Sequence, residues 1–317
     1  MTDIAALLHY GTIALAVAIN SVSVGLGEGA ACTAAIQAIN KQPQAKKEIS
    51  RAAILGAALI ETAAIMGVAI AIILLLGSPT KSIDPLVAIA EVGIAFAICL
   101  SGFVIGIVSS MPAQEACLAV ARQPFFSEKI IRFMLITQSV IQTPIIFGFI
   151  IAMFIKNQAT SVQTLPQSLK LLASGLCMGL GTVGPALGLG IFARTAIRGL
   201  GINRSAYATL MTFMFISQAI IETPIIFALV TSLMIIVSPV HSLVAGIATI
   251  AAALCMGLGT LGPGSSSGKT AAAACHQIAL NPSLYQTIAN VSLFGQGLID
   301  TCAIYAFLIA ILMVLFQ

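Results

Sequence analysis

The feature that most constrains this chain is a sequence repeat that occurs four times. CMGLGTVGP at 177–185 recurs as CMGLGTLGP at 255–263, an offset of 78 residues. A second motif marks all four repeats: AALIETAAI at 57–65, TQSVIQTPIIF at 137–147, SQAIIETPIIF at 217–227 and GQGLIDTCAI at 295–304. Each repeat contains two apolar segments long enough to cross a bilayer. The pattern therefore predicts four tandem units of two transmembrane helices each.

The composition excludes a soluble fold. Of the 317 residues, 59% are hydrophobic and 8% are charged, whereas a soluble domain has roughly 25% charged residues. In lipid the backbone must satisfy its own hydrogen bonds, so even glycine-rich segments are predicted to be helical. The expected fold is an all-α membrane protein with eight transmembrane helices in four helical hairpins. The predicted repeats are 1–78, 79–158, 159–238 and 239–317.

Two local patterns that suggest other chemistry do not meet its requirements. The stretch LGPGSSSGKT at 261–270 is similar to a phosphate-binding loop, but Pro263 stands where the first glycine is required, so neither nucleotide nor nucleic-acid binding is expected. The seven cysteines stand singly, without a Cys-x-x-Cys pair. They are predicted to be buried small side chains rather than a disulfide or metal framework.

Basic residues indicate the orientation of the hairpins. Ten of them flank the polar turns between paired segments: Lys41, Lys46, Lys47, Arg51, Arg122, Lys129, Arg132, Arg194, Arg198 and Arg204. Three lie toward the opposite side: Lys81, Lys156 and Lys170. Since positively charged flanks remain in the cytoplasm, all four turns are predicted to be cytoplasmic, as in a multi-pass protein of a bacterial inner membrane.

Ionisable groups recur at one position in the second helix of the repeats. Repeats 1, 3 and 4 carry an acid there, and repeat 2 carries an amide: Glu61, Glu222, Asp300 and Gln142. A proline precedes this position by 18 residues in three repeats: Pro43, Pro124 and Pro282. A carboxyl in lipid is unfavourable unless it has a function, and a recurring one indicates a carrier of cations. Glu91 and Glu115 are instead expected near helix ends.

The first helix of each hairpin supplies a partner for the carrier position. In a tight antiparallel hairpin, residues equidistant from the turn lie at equal depth, so Glu28 is expected beside Glu61 and Ser267 beside Asp300. The same depth in repeats 2 and 3 is occupied by Ser109 and Leu189. Two carboxyls at one depth are predicted to share a proton or to bind a metal ion between them.

These residues resemble the c subunit, or proteolipid, of F-type rotary ATP synthases. The resemblance is close in VGLGEGAACTAAIQAINKQP (24–43) with Glu61-Thr62, and in GPGSSSGK and LNP with Asp300-Thr301. It is looser in repeat 3, where Arg204 replaces the proline of the turn. The resemblance implies a non-catalytic subunit that forms a lipid-embedded rotor ring with copies of itself and turns against stator subunit a. It implies central-stalk contacts at Lys41, Gln42, Pro43, Arg122, Gln123, Pro124, Asn281 and Pro282.

The resemblance also implies the transported ion and its supporting ligands. The ion is H⁺ or Na⁺, with no other cofactor. The residues that it places around the acids are Glu28, Thr62, Thr223, Ser267, Thr301 and Tyr305. Protons are favoured because Leu189 offers repeat 3 no ligand from its first helix. Since Gln142 cannot ionise, three carriers are expected per four hairpins, which favours ATP-driven pumping against a steep gradient beside ATP synthesis.

Three alternative functions fit parts of the pattern. A V-type, sodium-pumping proteolipid is consistent with the fusion of four hairpins. A proton-coupled secondary transporter built of repeats would use the same three acids, but it requires broken helices around a central cavity. A structural helical oligomer would not require acids at one position in three repeats.

Overall fold

The computed structural model describes residues 2–77 and 84–316. Within these ranges, eight helices are long and apolar enough to cross a membrane, which confirms the predicted all-α fold. They are α1 Asp3–Lys41, α2 Pro43–Leu76, α3 Pro85–Arg122, α4 Pro124–Ala159, α5 Leu165–Ile202, α6 Arg204–Val237, α7 Leu243–Leu280 and α8 Pro282–Leu315. The predicted boundary between residues 78 and 79, and Lys81, lie outside the described residues.

Each second helix begins with a single 3₁₀ turn. These turns are Pro43–Ala45, Pro124–Phe126, Arg204–Ala206 and Pro282–Leu284. Proline suits the first position because its φ angle is already helical and its missing N–H is not needed there. In repeat 3 the Asn203 side chain accepts a hydrogen bond from the Ser205 N–H at 3.0 Å. This cap explains how the turn forms with Arg204 in place of proline.

Several helices contain a short irregularity. The regular segments are Lys46–Ile60 and Thr62–Leu76 in α2, Ser127–Ile141 and Thr143–Ala159 in α4, Leu243–Gly259 and Leu261–Leu280 in α7, and Pro85–Ala95, Ser101–Val108 and Ser110–Arg122 in α3, with a π turn at Phe96–Leu100. The regular parts of α6 and α8 are Tyr207–Val237 and Tyr285–Leu315. Two irregularities fall on the carrier positions Glu61 and Gln142. Residues 261–270 lie within a helix, so they form no phosphate-binding loop.

The eight helices form two rows. The first helices of the hairpins, α1, α3, α5 and α7, pack side by side, and the second helices, α2, α4, α6 and α8, form the other row. Glycines allow the first helices to approach closely: a Cβ at Gly27 would overlap the carbonyl oxygen of Gly106, and one at Gly188 would overlap that of Gly264. Such contacts between small residues hold helices together in lipid.

The four hairpins point in the same direction. Near the turns, Gln123 Nε2 donates to the carbonyl oxygen of Gly201 at 3.2 Å, and Asn203 Nδ2 donates to that of Ala279 at 3.0 Å. At the other end, Ser168 Oγ donates to the carbonyl oxygen of Leu86 at 2.8 Å. Since turns meet turns and open ends meet open ends, the carrier positions of neighbouring repeats lie at similar depth.

The two ends of the double row are open. On α1, a Cβ at Gly25 or Gly29 would meet no atom within 4 Å, and the same holds for Gly262 on α7. The equivalent of Gly25 in repeat 4, Gly264, instead lies against α5. Cys32 and Cys302 are exposed, so the prediction of buried cysteines is wrong for these two residues.

Candidate functional site

Repeat 2 shows the hairpin register directly. Gln142 is 4% exposed, and its Nε2 donates to Ser109 Oγ at 2.9 Å. These two residues are equidistant from the turn, as the antiparallel hairpin requires. The same register sets Leu189 at the depth of Glu222 in repeat 3. The carrier position of each second helix therefore lies at the depth of its first-helix counterpart.

The acids of repeat 1 occupy an open end of the structure. Glu28 of α1 lies within electrostatic range of Glu61 of α2. Glu28 is half-buried and Glu61 is exposed. Two neighbouring carboxylates repel each other unless a proton or a metal ion lies between them. The arrangement can therefore hold one cation between the two carboxyls.

The acid of repeat 3 contacts the preceding repeat. The Thr143 hydroxyl lies within hydrogen-bonding distance of the half-buried Glu222 carboxylate. Thr143 follows Gln142 in α4 and is equivalent to Thr223. The Thr223 hydroxyl itself donates to the carbonyl oxygen of Ala219 at 3.1 Å, one turn back in its own helix. The hydroxyl beside an acid thus comes from the previous repeat, a relation that sequence reasoning missed.

The acid of repeat 4 is the most buried of the three. Asp300 is 7% exposed, and its Oδ1 has no hydrogen-bond partner within the described residues. The Oγ of Ser267, which is fully buried, likewise has none there. The Thr301 hydroxyl donates to the carbonyl oxygen of Leu298 at 2.7 Å. Tyr305 is 65% exposed and makes no hydrogen bond to Asp300 in the described structure, so it is not brought into the site of its own repeat.

Three buried glutamines lie one helical turn before the carrier positions. Gln138, Gln218 and Gln296 precede Gln142, Glu222 and Asp300 by four residues, whereas repeat 1 carries Ala57. Sequence reasoning did not single them out. Their recurrence in the aligned second helices was the available signal.

Buried ion pairs link repeats at both ends of the helices. Toward the open ends, Glu91 of α3 pairs with His9 of α1 and, at 3.2 Å, with Lys156 Nζ of α4. Toward the turns, Glu115 of α3 pairs with Arg122 Nη1 at 3.0 Å. Its other oxygen lies 3.8 Å from Nε of Arg194 on α5. Both glutamates lie near helix ends, as expected, and are buried between repeats.

The turns predicted to contact partners differ in accessibility. Lys41, Pro43 and Asn281 are exposed, whereas Gln42, Gln123, Pro124 and Pro282 are partly covered. Arg122 and Gln123 already make contacts within the chain. Phe125, at the tip of the second turn, is fully exposed. An exposed aromatic side chain at a turn indicates a contact surface, and this one was not identified from the sequence.

Comparison with known proteins agrees with this geometry. The family model described as ATP synthase C subunit matches residues 12–74, 92–155, 172–235 and 250–313. The c subunit of the ATP synthase of Dehalococcoides mccartyi (strain CBDB1) is 44% identical over 68 residues, which are 22% of this chain and 90% of the relative. For the second c subunit of the Cereibacter sphaeroides ATP synthase, identity is 47% over 66 residues, 21% of this chain and 80% of the relative. For the c subunit of the Chloroflexus aurantiacus (strain J-10-fl) enzyme, it is 38% over 69 residues, 22% of this chain and 91% of the relative.

Each match to the family model covers both helices of one hairpin and includes its carrier position. The chain therefore belongs to the ATP synthase C subunit family, with four copies of the family's hairpin in one polypeptide.

Proposed function

We propose that this chain carries ions on Glu61, Glu222 and Asp300 in the rotor ring of a rotary ATP synthase or ATPase. Membership of the ATP synthase C subunit family supports a role as an ion carrier in a ring. The observation that carries the residue assignment is the recurrence of an ionisable group at one repeat position, in parallel hairpins that set these positions at similar depth. The chain itself is a transport subunit and binds no nucleotide in this proposal.

The physical basis of carriage is the free energy of a charge in lipid. An ionised carboxylate facing hydrocarbon is strongly unfavourable, whereas a neutralised one is tolerated. Each carboxyl therefore takes up a cation from one half-channel, passes through lipid while neutral, and releases the cation beside an arginine of stator subunit a. The stator accordingly meets one charged carrier at a time.

Ring closure would complete the site of repeat 1. Between repeats, the threonine that follows a carrier position serves the acid of the next repeat, as Thr143 serves Glu222. Thr301 has no following repeat in its own chain, and Glu61 has no preceding one. When the Gly262 face of one copy packs against the Gly25 face of the next, Thr301 reaches the Glu61 of its neighbour.

The loss of one acid sets the gearing. Repeat 2 has a buried amide that already bonds to Ser109, so a ring of these chains has three carriers for every four hairpins. Fewer ions per turn give each ATP more energy per ion, which suits pumping against a steep gradient. A sodium-pumping V-type complex is the alternative partner set.

Protons are the favoured ion, with sodium as the alternative. A protonated carboxyl needs one acceptor, whereas a metal ion needs several oxygens. Leu189 provides none in repeat 3. The hydroxyl of Thr143 supplies one oxygen for Glu222, which is sufficient for a proton.

The turn side faces the cytoplasm and the central stalk in this proposal. The excess of basic residues there supports the orientation. The exposed Lys41, Pro43 and Asn281, together with Phe125, supply charged, polar and apolar contacts for stalk subunits. The outward faces of the helices contact membrane lipids, and the expected location is a bacterial inner membrane.

Single substitutions test the carrier assignment in the reconstituted complex. Glu222→Gln and Asp300→Asn should each abolish ATP-driven ion uptake into vesicles, because a permanently neutral site cannot release a cation to the stator. Gln142→Leu is the matched control and should retain uptake, since repeat 2 carries no ion. Undiminished uptake in both acid variants would overturn the assignment.

A further inference from the structure

The glutamines one turn before the carrier positions have a fixed orientation. Gln138 Nε2 donates to the carbonyl oxygens of Ser109 at 2.8 Å and of Gly56 at 3.2 Å. Gln218 Nε2 donates to the carbonyl oxygen of Thr137 at 3.4 Å. A carbonyl oxygen only accepts hydrogen bonds, so the amide nitrogen, and not its oxygen, must face it.

Repeat 4 has the same arrangement with hydroxyl partners. Gln296 Nε2 lies 3.3 Å from Ser217 Oγ on α6 and 3.1 Å from Ser292 Oγ one turn back. In repeats 2, 3 and 4 alike, the nitrogen thus contacts the residue five positions before the carrier position of the preceding repeat. These contacts join the second helices into a ladder and determine where the amide oxygens lie.

The amide oxygens are left as unused acceptors. The Oε1 atoms of Gln138, Gln218 and Gln296 are buried and have no hydrogen-bond partner within the described residues. In repeat 4, Oδ1 of Asp300 is a second buried acceptor in the same condition. A buried acceptor without a donor destabilises a protein by about 1–3 kcal/mol, so two in one site indicate that a donor or a cation belongs there.

Helix geometry brings each acid to its glutamine. Residues four apart lie on the same face, and helical side chains tilt toward the N-terminus. The Glu222 carboxyl therefore leans toward the turn of Gln218, and Asp300 leans toward Gln296. A protonated carboxyl can donate to the amide oxygen, and a sodium ion can be bound by both oxygens.

We infer that Gln218 Oε1 and Gln296 Oε1 are ligands of the transported cation in repeats 3 and 4. This inference rests on the proposed function of the acids. Repeat 1 has Ala57 in place of the glutamine and has Glu28 as the oxygen donor instead. The ring would then contain two kinds of carrier site, one completed by the first helix and one completed by the second.

Site-resolved labelling with a carboxyl-directed carbodiimide tests the inference in the assembled complex. The reagent reacts with protonated carboxyls, and mass spectrometry gives the labelling rate of each acid separately. Gln218→Met retains the side-chain volume and removes the acceptor. It should slow labelling of Glu222 about threefold at fixed pH, the fold-change for one hydrogen bond of about 0.6 kcal/mol in a membrane protein. Labelling of Glu61 should not change.

Two further arms separate the ligand role from packing and protons from sodium. Gln138→Met removes the same side chain from the repeat without an acid, and should leave labelling of all three acids unchanged. If sodium is the ion, added Na⁺ should protect Glu222, and Gln218→Met should raise the protecting concentration about threefold. Gln296→Met should act in the same way on Asp300.

The inference is wrong if Gln218→Met and Gln296→Met leave both the labelling rates and the sodium protection unchanged. It is equally wrong if Gln138→Met alters Glu222 as much as Gln218→Met does. Failure of the proposed function has a different signature, because labelling of the acids would then proceed without loss of ATP-driven transport.

Discussion

Restoring an acid in repeat 2 should change the gearing of the rotor by a calculable amount. Gln142 is buried, bonds to Ser109 Oγ at 2.9 Å, and lies one turn above the unpartnered Oε1 of Gln138. In Gln142→Glu, the Ser109 hydroxyl can donate to the new carboxyl, and the protonated carboxyl can donate to Gln138. The site then has the same elements as those of repeats 3 and 4, and each chain carries four ions per turn in place of three.

The magnitude follows from the energy of each ion. Moving one charge against 100 mV requires about 2.3 kcal/mol, so the potential at which a fixed ATP free energy stalls the pump is inversely proportional to the number of ions moved. Gln142→Glu should therefore lower the stall potential by about one quarter. ATP-driven uptake into vesicles at a series of imposed diffusion potentials measures it.

Two controls make this result decisive. Gln142→Leu should leave the stall potential at the wild-type value, and carbodiimide labelling should show that the new carboxyl of Gln142→Glu reacts. If the new carboxyl reacts and transport continues, but the stall potential is unchanged, the reasoning that each second-helix carboxyl carries one ion is refuted.

Three other substitutions test the packing. Gly188→Ala forces a Cβ onto a glycine carbonyl of α7 and should destabilise the protein by about 1–3 kcal/mol in thermal unfolding, whereas Gly297→Ala, with open space around it and Ala219 at the equivalent position of repeat 3, should be neutral. Equal unfolding temperatures would contradict the close approach. Glu91→Gln leaves buried cations without a carboxylate and should lower stability by about 3–5 kcal/mol in the same assay. Gly25→Leu fills the open face of α1, so native mass spectrometry should detect separate chains, and intact rings would refute the assigned contact.

The hairpin fold and its internal register follow from the sequence because both depend on local rules. Apolar length gives the helices, and equal distance from the turn pairs Gln142 with Ser109, as the structure has it. Neither rule needs the rotation of one hairpin against the next. For that reason the two residues at equal depth were identifiable before any contact was known.

Contacts between hairpins were not predictable in the same way. Both faces of these helices are apolar, so periodicity does not reveal which face meets the neighbouring repeat. Threonine hydroxyls were therefore assigned to the acids of their own repeats, whereas Thr143 lies at Glu222 of the next one. Gln218 was missed because its orientation depends on a carbonyl of the preceding repeat, and Tyr305 was given a role that its exposed position does not support.

The most direct test of the central claim is the number of carboxyls that must be modified to stop the rotor. In the reconstituted complex, ATP-driven ion transport is measured while carbodiimide labelling of Glu61, Glu222 and Asp300 is counted by mass spectrometry. If these acids carry ions through lipid in a turning ring, a single modified carboxyl per ring should abolish transport, because a permanently blocked site cannot pass the stator. Continued transport with all three acids modified in every chain would contradict the account.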